Sequence, residues 1–198
     1  MMTRRLHIKW LMWGVGLAAY MLALINRSSF SALGPAAQEH FGAEATVLSS
    51  FLVLQLVVYA LCQIPVGVCL DRFGTSWVIA SGMLLMAVGQ LVLATTSLIP
   101  VAIFARILLG AGDACIFTSV VRLVAEWFTR KQTPLVNQIT GLAGQVGQLV
   151  AVAPLAAVIG AFGWFSGFAS LTAIGVVILL LVAITMRDGP GAGTILER

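Results

Sequence analysis

Three ionisable side chains, Arg27, Arg106 and Asp113, lie inside long apolar runs of this 198-residue sequence. A charged side chain in a bilayer costs about 3 kcal/mol or more unless it faces a partner or a water-filled cavity. A guanidinium in such a cavity can bind an anion, and a carboxylate there can take up and release a proton. Each of the three is therefore a candidate functional residue.

Helical spacing relates these residues to their neighbours. Tyr20, Arg27 and Ser31 are separated by seven and four residues, which places them on one face if the helix continues past Arg27. The alternative is that the helix ends near Asn26 and Arg27 extends to the membrane surface. Arg106 and Asp113 share a face but lie about 10.5 Å apart along the axis, too far for a direct ion pair. The alternative is that both are structural residues, each paired with a side chain of a neighbouring helix.

The composition predicts the elements that hold these residues. Hydrophobic residues make up 60% of the chain and charged residues 9%, with a mean hydropathy of +1.04. A soluble domain usually carries about 25% charged residues, so we expect an all-α integral membrane protein and no nucleic-acid surface. Apolar runs place six transmembrane helices at 10–37, 47–69, 77–97, 100–121, 134–160 and 165–186. Residues 1–9 form the N-terminus, 10–186 the bundle, and 187–198 a linker or tail.

Metal and cofactor chemistry is not expected. The three cysteines, Cys62, Cys69 and Cys115, lie in apolar runs and are interpreted as packing residues. Both histidines flank apolar runs, which leaves no histidine within a span as a metal ligand or a catalytic base. An intramembrane protease is therefore disfavoured, and we predict that the protein is not an enzyme.

The basic residues predict the orientation. Nine of the eleven fall on one side of the six predicted spans: Arg4, Arg5, Lys9, Arg72, Arg122, Arg130, Lys131, Arg187 and Arg198. Short cytoplasmic loops retain Lys and Arg during insertion. Both termini are therefore predicted to be cytoplasmic, with the chain in a plasma membrane, in bacteria the inner membrane.

Polar residues recur at helical spacing in two of the spans. Gln55, Tyr59 and Gln63 follow one another every four residues, and Gln138, Gln145 and Gln148 lie on one side of the fifth span. Such side chains can contact a solute, or they can form hydrogen bonds between helices. Both interpretations stay open at this point.

Three motifs resemble signatures of the major facilitator superfamily. Residues Gly67 to Gly74 are similar to its G-x-x-x-D-R-x-G loop, Arg106 to Gly112 to its R-x-x-x-G-x-G pattern, and Phe162-Gly163-Trp164 to the F-G-W that opens its sixth span. The resemblance implies the N-terminal six-helix half of a transporter, built from two inverted three-helix repeats. It assigns conformational-switch roles to Gly67, Asp71, Arg72, Gly74, Arg106, Gly110 and Gly112. Thr75-Ser76-Trp77 replaces the basic residues that usually follow the loop signature.

A fainter similarity points to the organic-anion branches of the superfamily. It rests on Asn26-Arg27 and Gly112-Asp113. It implies secondary transport of a small solute, with Arg27 binding an anion and Asp113 coupling transport to protons, because Asn26 stands where many symporters have an acid. The predicted solute-binding residues are Tyr20, Asn26, Arg27, Gln55, Tyr59 and Gln145.

A half of this kind needs partners beyond membrane lipid and the solute. Alternating access requires a second six-helix half or an identical copy, as in a homodimer. The tail 188–198 is similar to the start of a central linker, which favours a truncated or split chain. A drug or metabolite antiporter half is the alternative, disfavoured because Ala153-Pro154 is a poor match to the antiporter signature. A scaffold or channel subunit is another.

Overall fold

The computed structural model describes residues 2–186, without the side chains of 2–7, 30–32 and 151. It is all-helical over this range. The helices are α1 (Met2–Ala32), α2 (Gly34–Phe41), α3 (Ala45–Phe73), α4 (Thr75–Thr95), α5 (Ile99–Trp127) and α6 (Thr133–Thr185). The side chains of Arg4, Arg5 and Ser31, and the whole predicted tail with Arg187 and Arg198, lie outside the described part of the chain.

Five of these helices are long and apolar enough to cross a membrane, by length and composition: α1, α3, α4, α5 and α6. With 53 residues, α6 would measure about 80 Å as one rod, far more than the roughly 30 Å of hydrocarbon in a bilayer. It breaks at Gly163, whose φ of 83° lies in the left-handed region that glycine tolerates. The break gives two helical segments, 133–162 and 164–185.

The first helix ends earlier than the sequence indicated, at Ala32. The apolar run 10–37 becomes the end of α1 and the start of the separate helix α2. Pro35 lies in the first turn of α2. Proline lacks the amide hydrogen that a continuous helix would need at this position, and its ring crowds the carbonyl four residues earlier, so α1 stops at Ala32 and the chain turns at Leu33.

Glycines bring α4 and α5 into close contact. A Cβ placed on Gly82 would lie 2.6 Å from Cys115 Cβ, and one on Gly112 would lie 2.6 Å from Met86 Cγ. A Cβ on Gly89 would lie 3.0 Å from the Ala105 carbonyl oxygen. No methyl group fits without moving a helix, so these glycines set the spacing of the two most buried helices.

The bundle has two distinguishable ends. We call the end formed by the α3–α4 turn and the α5–α6 loop the charged end, since Arg72, Arg130 and Lys131 are exposed there. The other, aromatic end holds α2 and the Gly163 break. There Trp164 Nε1 donates to the Leu93 carbonyl at 3.1 Å, and the Trp164 ring stacks on His40 with centroids 4.5 Å apart.

Candidate functional site

Arg27 and Asp113 form an ion pair between α1 and α5. Arg27 Nε donates to Asp113 Oδ2 at 2.8 Å, and Nη2 lies 2.6 Å from the same oxygen. The Asp113 side chain is 1% exposed and that of Arg27 is 28% exposed. Because α1 continues past Arg27, the alternative in which the helix ends near Asn26 is not observed. The structure thus brings together two charges that the sequence placed separately in apolar runs.

A third helix contributes an aromatic ring to this pair. The Arg27 guanidinium carbon lies 4.7 Å from the centroid of the Tyr59 ring on α3. Cation–π contact of this kind is worth about 0.5–2 kcal/mol, more where water is excluded. The edge of the guanidinium thus faces the carboxylate while its face lies on Tyr59, which fixes the orientation of the group.

Two buried oxygens, one in the pair and one on the residue before Arg27, have no hydrogen-bond partner among the described residues. They are Asp113 Oδ1 and Asn26 Oδ1, and the Asn26 side chain is only 2% exposed. A buried acceptor without a donor costs about 1–3 kcal/mol. A proton on the Asp113 carboxyl group would remove its charge and turn one oxygen into a donor.

An aromatic pair lies next to the ion pair. The rings of Tyr20 on α1 and Phe117 on α5 have centroids 5.7 Å apart. Tyr20 is buried, whereas Phe117 is 39% exposed. Sequence reasoning named Tyr20 but missed Phe117. Its position four residues after Asp113, on the same helical face, was the available signal.

Other predicted solute-binding residues lie elsewhere. Gln55 is buried, and its Oε1 accepts a hydrogen bond from Arg106 Nη1 at 2.8 Å. Gln145 is exposed on α6. In the same stripe as Gln55, Gln63 Oε1 lies 2.7 Å from the Thr118 hydroxyl. Two of the three polar residues in the α3 stripe therefore form bonds between helices, and Tyr59 alone contacts Arg27.

Arg106 differs from Arg27 in its surroundings. Its side chain is 0% exposed, between α5 and α3, and it donates to the neutral amide of Gln55. One turn further along α5, a Cβ on Gly110 would lie 2.6 Å from the Gln55 carbonyl oxygen. The glycine lets α3 approach closely enough for the amide to reach the guanidinium.

The loop motif lies within a charged network at the charged end. Asp71 forms an ion pair with Arg122, and Arg122 Nε also donates to Glu126 Oε1 at 3.2 Å. Thr75, at the start of α4, donates to the same Glu126 oxygen at 2.9 Å. Arg122, Glu126 and Thr75 were missed as members, because a motif found in one loop does not reveal partners on another helix.

The remaining motif residues surround this network. Arg72 is exposed, with its guanidinium carbon 5.4 Å from the Phe73 ring centroid. Gly74 has a φ of 81° in the tight turn between α3 and α4, a conformation that favours glycine. Nothing lies within 4 Å of a Cβ placed on Gly67. That side of α3 is therefore open within the described chain.

An apolar cavity of about 550 Å³ lies apart from the ion pair, between α1 and both segments of α6. Its lining residues carry no charge: Ala18, Met21, Leu22, Ile25, Gly147, Val150, Pro154, Leu155, Val158, Ser170, Leu171, Ile174 and Ile178. It offers nothing to hold an anion, so the ion pair remains the candidate site.

Comparison with known proteins decides the family. The profile of the Major Facilitator Superfamily matches residues 16–196. The chain belongs to the major facilitator superfamily. Its fold agrees with the solved structure of the superfamily's proton:xylose symporter XylE, with a TM-score of 0.80 and 17% sequence identity over 93% of this chain and 46% of that one. The resemblance drawn from the motifs is confirmed.

Relatives within the superfamily are transporters. The uncharacterized transporter YybO of Bacillus subtilis is 29% identical over 67% of this chain and 31% of its own length. A probable L-galactonate transporter of Escherichia coli is 27% identical over 67% of this chain and 30% of its length. A putative multidrug resistance protein, MdtD of Yersinia pseudotuberculosis, is 28% identical over 58% and 24%.

The chain is therefore a multi-pass membrane protein of a transporter superfamily, not an enzyme. The matched segment spans less than a third of the length of these curated relatives.

Proposed function

We propose that this chain provides the anion-binding half of a secondary transporter that moves a small organic anion together with protons. The observation that carries the proposal is the Arg27–Asp113 ion pair, held between two membrane helices with Arg27 partly exposed. Charged side chains between membrane-spanning helices are costly and usually serve a function. In a transporter, Arg27 can exchange Asp113 for the solute as its partner.

The geometry supports a competition between Asp113 and the solute for Arg27. A guanidinium binds a carboxylate through two parallel hydrogen bonds, and Asp113 now accepts from two of its nitrogens. Protonation of Asp113 removes the competing charge and frees Arg27 for the carboxylate of the solute. The loaded site then holds one cation, one anion and a neutral acid, so anion and proton move in the same direction.

Sugar acids are the proposed solute class. The probable L-galactonate transporter is among the relatives, and its solute carries one carboxylate and several hydroxyl groups. Arg27 would hold the carboxylate, while Asn26, Tyr20, Tyr59 and Gln145 would contact the hydroxyl groups. Gln55 would act indirectly by positioning Arg106.

The proposed transport cycle uses six spans, counting both segments of α6, in two inverted three-helix repeats. Arg72, Arg130 and Lys131 lie at the charged end, which supports a cytoplasmic position for it and for both termini. The inner membrane of a bacterium is the proposed location. Alternating access needs a second six-helix body, either a further half or an identical copy. Together they form the transport-competent assembly.

The motif residues would control movement in that assembly. The network of Asp71, Arg122, Glu126 and Thr75 joins α3, α4 and α5. The ion pairs of this network would hold the charged end closed in one transport state and would break when that end opens in the other. Gly67, Arg72, Gly74, Gly110 and Gly112 would set the turn and the helix spacing for this change.

A drug:proton antiporter is the second candidate, favoured by the similarity to the putative multidrug resistance protein. In that case Asp113 would bind an organic cation, and proton and drug would move in opposite directions. Uptake of L-galactonate and extrusion of a cationic dye therefore distinguish the two. A scaffold or channel subunit would show neither saturation nor dependence on a proton gradient.

Flux in proteoliposomes tests the proposal. We expect the assembly to accumulate L-galactonate when the outside is acidic and to stop when a protonophore is added. Asp113→Asn should lower gradient-driven accumulation at least tenfold, since the amide cannot exchange a proton. Glu39→Gln, which removes an exposed carboxylate at the aromatic end, is the matched control and should have little effect. Unchanged accumulation by Asp113→Asn would refute the role of this acid.

A further inference from the structure

The position of Phe117 relative to the ion pair is fixed by the two helices that carry it. The helices α1 and α5 run antiparallel, since Trp10 contacts Phe128 near one end while Arg27 meets Asp113 further along. Phe117 follows Asp113 by about 6 Å along α5, and Tyr20 precedes Arg27 by about 10.5 Å along α1. The aromatic pair therefore lies on the charged-end side of the ion pair.

The Tyr20 ring forms a rigid support for Phe117. A Cβ placed on Gly144 of α6 would lie 2.5 Å from Tyr20 Cε1, so the glycine makes room for that ring and holds it against α6. Tyr20 is 7% exposed and Phe117 39% exposed. The buried Tyr20 ring therefore lies behind the exposed Phe117 ring and limits how far that ring can move towards α6.

The neighbouring residue shows which way Phe117 projects. Thr118 contacts Gln63 on α3, while Phe117 itself contacts Tyr20 on α1. Phe117 therefore projects from the face of α5 that meets α1, next to the face that meets α3, and we infer that it borders the groove that contains Arg27 and Tyr59. An anion bound to Arg27 that extends towards the charged end meets an apolar ring.

We propose that Phe117 is the floor of the solute site on the charged-end side and sets the length of the organic anion that the site accepts. The inference rests on the proposed function, since it needs an anion bound at Arg27. On this proposal the site accepts a sugar acid of six carbons. A longer acid meets the ring and is excluded, because Tyr20 prevents the ring from moving back.

Competition with a longer acid tests this inference. The probes are L-galactonate and lactobionate, a gluconate that carries an additional galactosyl group. In proteoliposomes of the transport-competent assembly, lactobionate should leave galactonate uptake by the unaltered protein unchanged. With Phe117→Ala it should compete, with an inhibition constant within about tenfold of the galactonate KM. Phe117→Leu should give an intermediate result. The galactonate KM of each variant is measured in the same preparation, so that the inhibition constants are compared on the variant's own scale.

Phe104→Ala is the matched control. Phe104 is an exposed phenylalanine of the same helix, about 20 Å nearer the aromatic end, and its loss should not admit lactobionate. The inference is overturned if lactobionate inhibits galactonate uptake equally by the unaltered protein and by the Phe117→Ala variant, or if it inhibits uptake by neither. Absence of saturable galactonate uptake by the unaltered protein would overturn the proposed function and, with it, this inference.

Discussion

The two arginines within the membrane helices have opposite surroundings. Arg27 is partly exposed, and its partners are a carboxylate and an aromatic face on two other helices. Arg106 is fully buried and donates to a neutral amide on one neighbouring helix. A group that must exchange partners needs access and an opposing charge, whereas a group that joins helices needs neither. Within the proposed function, this difference favours solute binding at Arg27 and a structural role for Arg106.

Loss of Arg106 should have the largest effect, and it should be an effect on folding. Arg106→Ala empties a buried volume between α5 and α3 and leaves the Gln55 oxygen without its donor, so we expect destabilisation by about 3–5 kcal/mol. Thermal unfolding in detergent and the yield of folded protein measure it. Arg106→Lys should recover part of the stability. If the Arg106→Ala protein is stable but its uptake is abolished, Arg106 acts in transport and not in holding the helices together.

Loss of Arg27 should reduce transport while the bundle stays folded. Arg27→Ala should lower L-galactonate uptake at least 100-fold, and the unfolding midpoint should change little, because the remaining Asp113 can neutralise itself by binding a proton. Arg27→Lys keeps the charge but loses the paired hydrogen bonds to a carboxylate. It should retain more uptake than Arg27→Ala, with a raised KM. Equal unfolding losses for the Arg27 and Arg106 variants would show that the two arginines do not differ in role.

Substitution of Tyr59 should have the smallest effect, and it separates the role of the ring from that of the hydroxyl group. Tyr59→Leu removes the ring under the guanidinium, a contact worth about 0.5–2 kcal/mol, which corresponds to a rise in KM of about two- to thirtyfold. Tyr59→Phe keeps the ring and should lie within threefold of the unaltered protein. If both substitutions raise KM equally, the hydroxyl group contacts the solute and the ring does not orient Arg27.

From the sequence, the fold class and the charged residues within apolar runs were predictable. The contacts between those residues were not. Apolar runs and the Phe162-Gly163-Trp164 motif were enough to divide α6 at Gly163, because the signal is local. The pairing of Arg27 with Asp113 was not predictable, since the two lie 86 residues apart and meet only through the packing of α1 on α5. The same holds for the Gln55 amide, whose spacing fits solute contact and interhelical bonding equally well.

The glycine contacts between α4 and α5 constrain how the site can diversify. Asp113 follows Gly112 directly, and a side chain at position 112 would collide with Met86. Asp113 is thus held at a point of α5 where close helix packing leaves no room for a larger neighbour at position 112, whereas the side chains of Tyr59 on α3 and Phe117 on α5 are not fully buried. In the proposed transporter, recognition of a new anion would arise by exchanging those rings while Asp113 stays in place. This makes the groove the natural starting point for engineering a transporter of altered specificity.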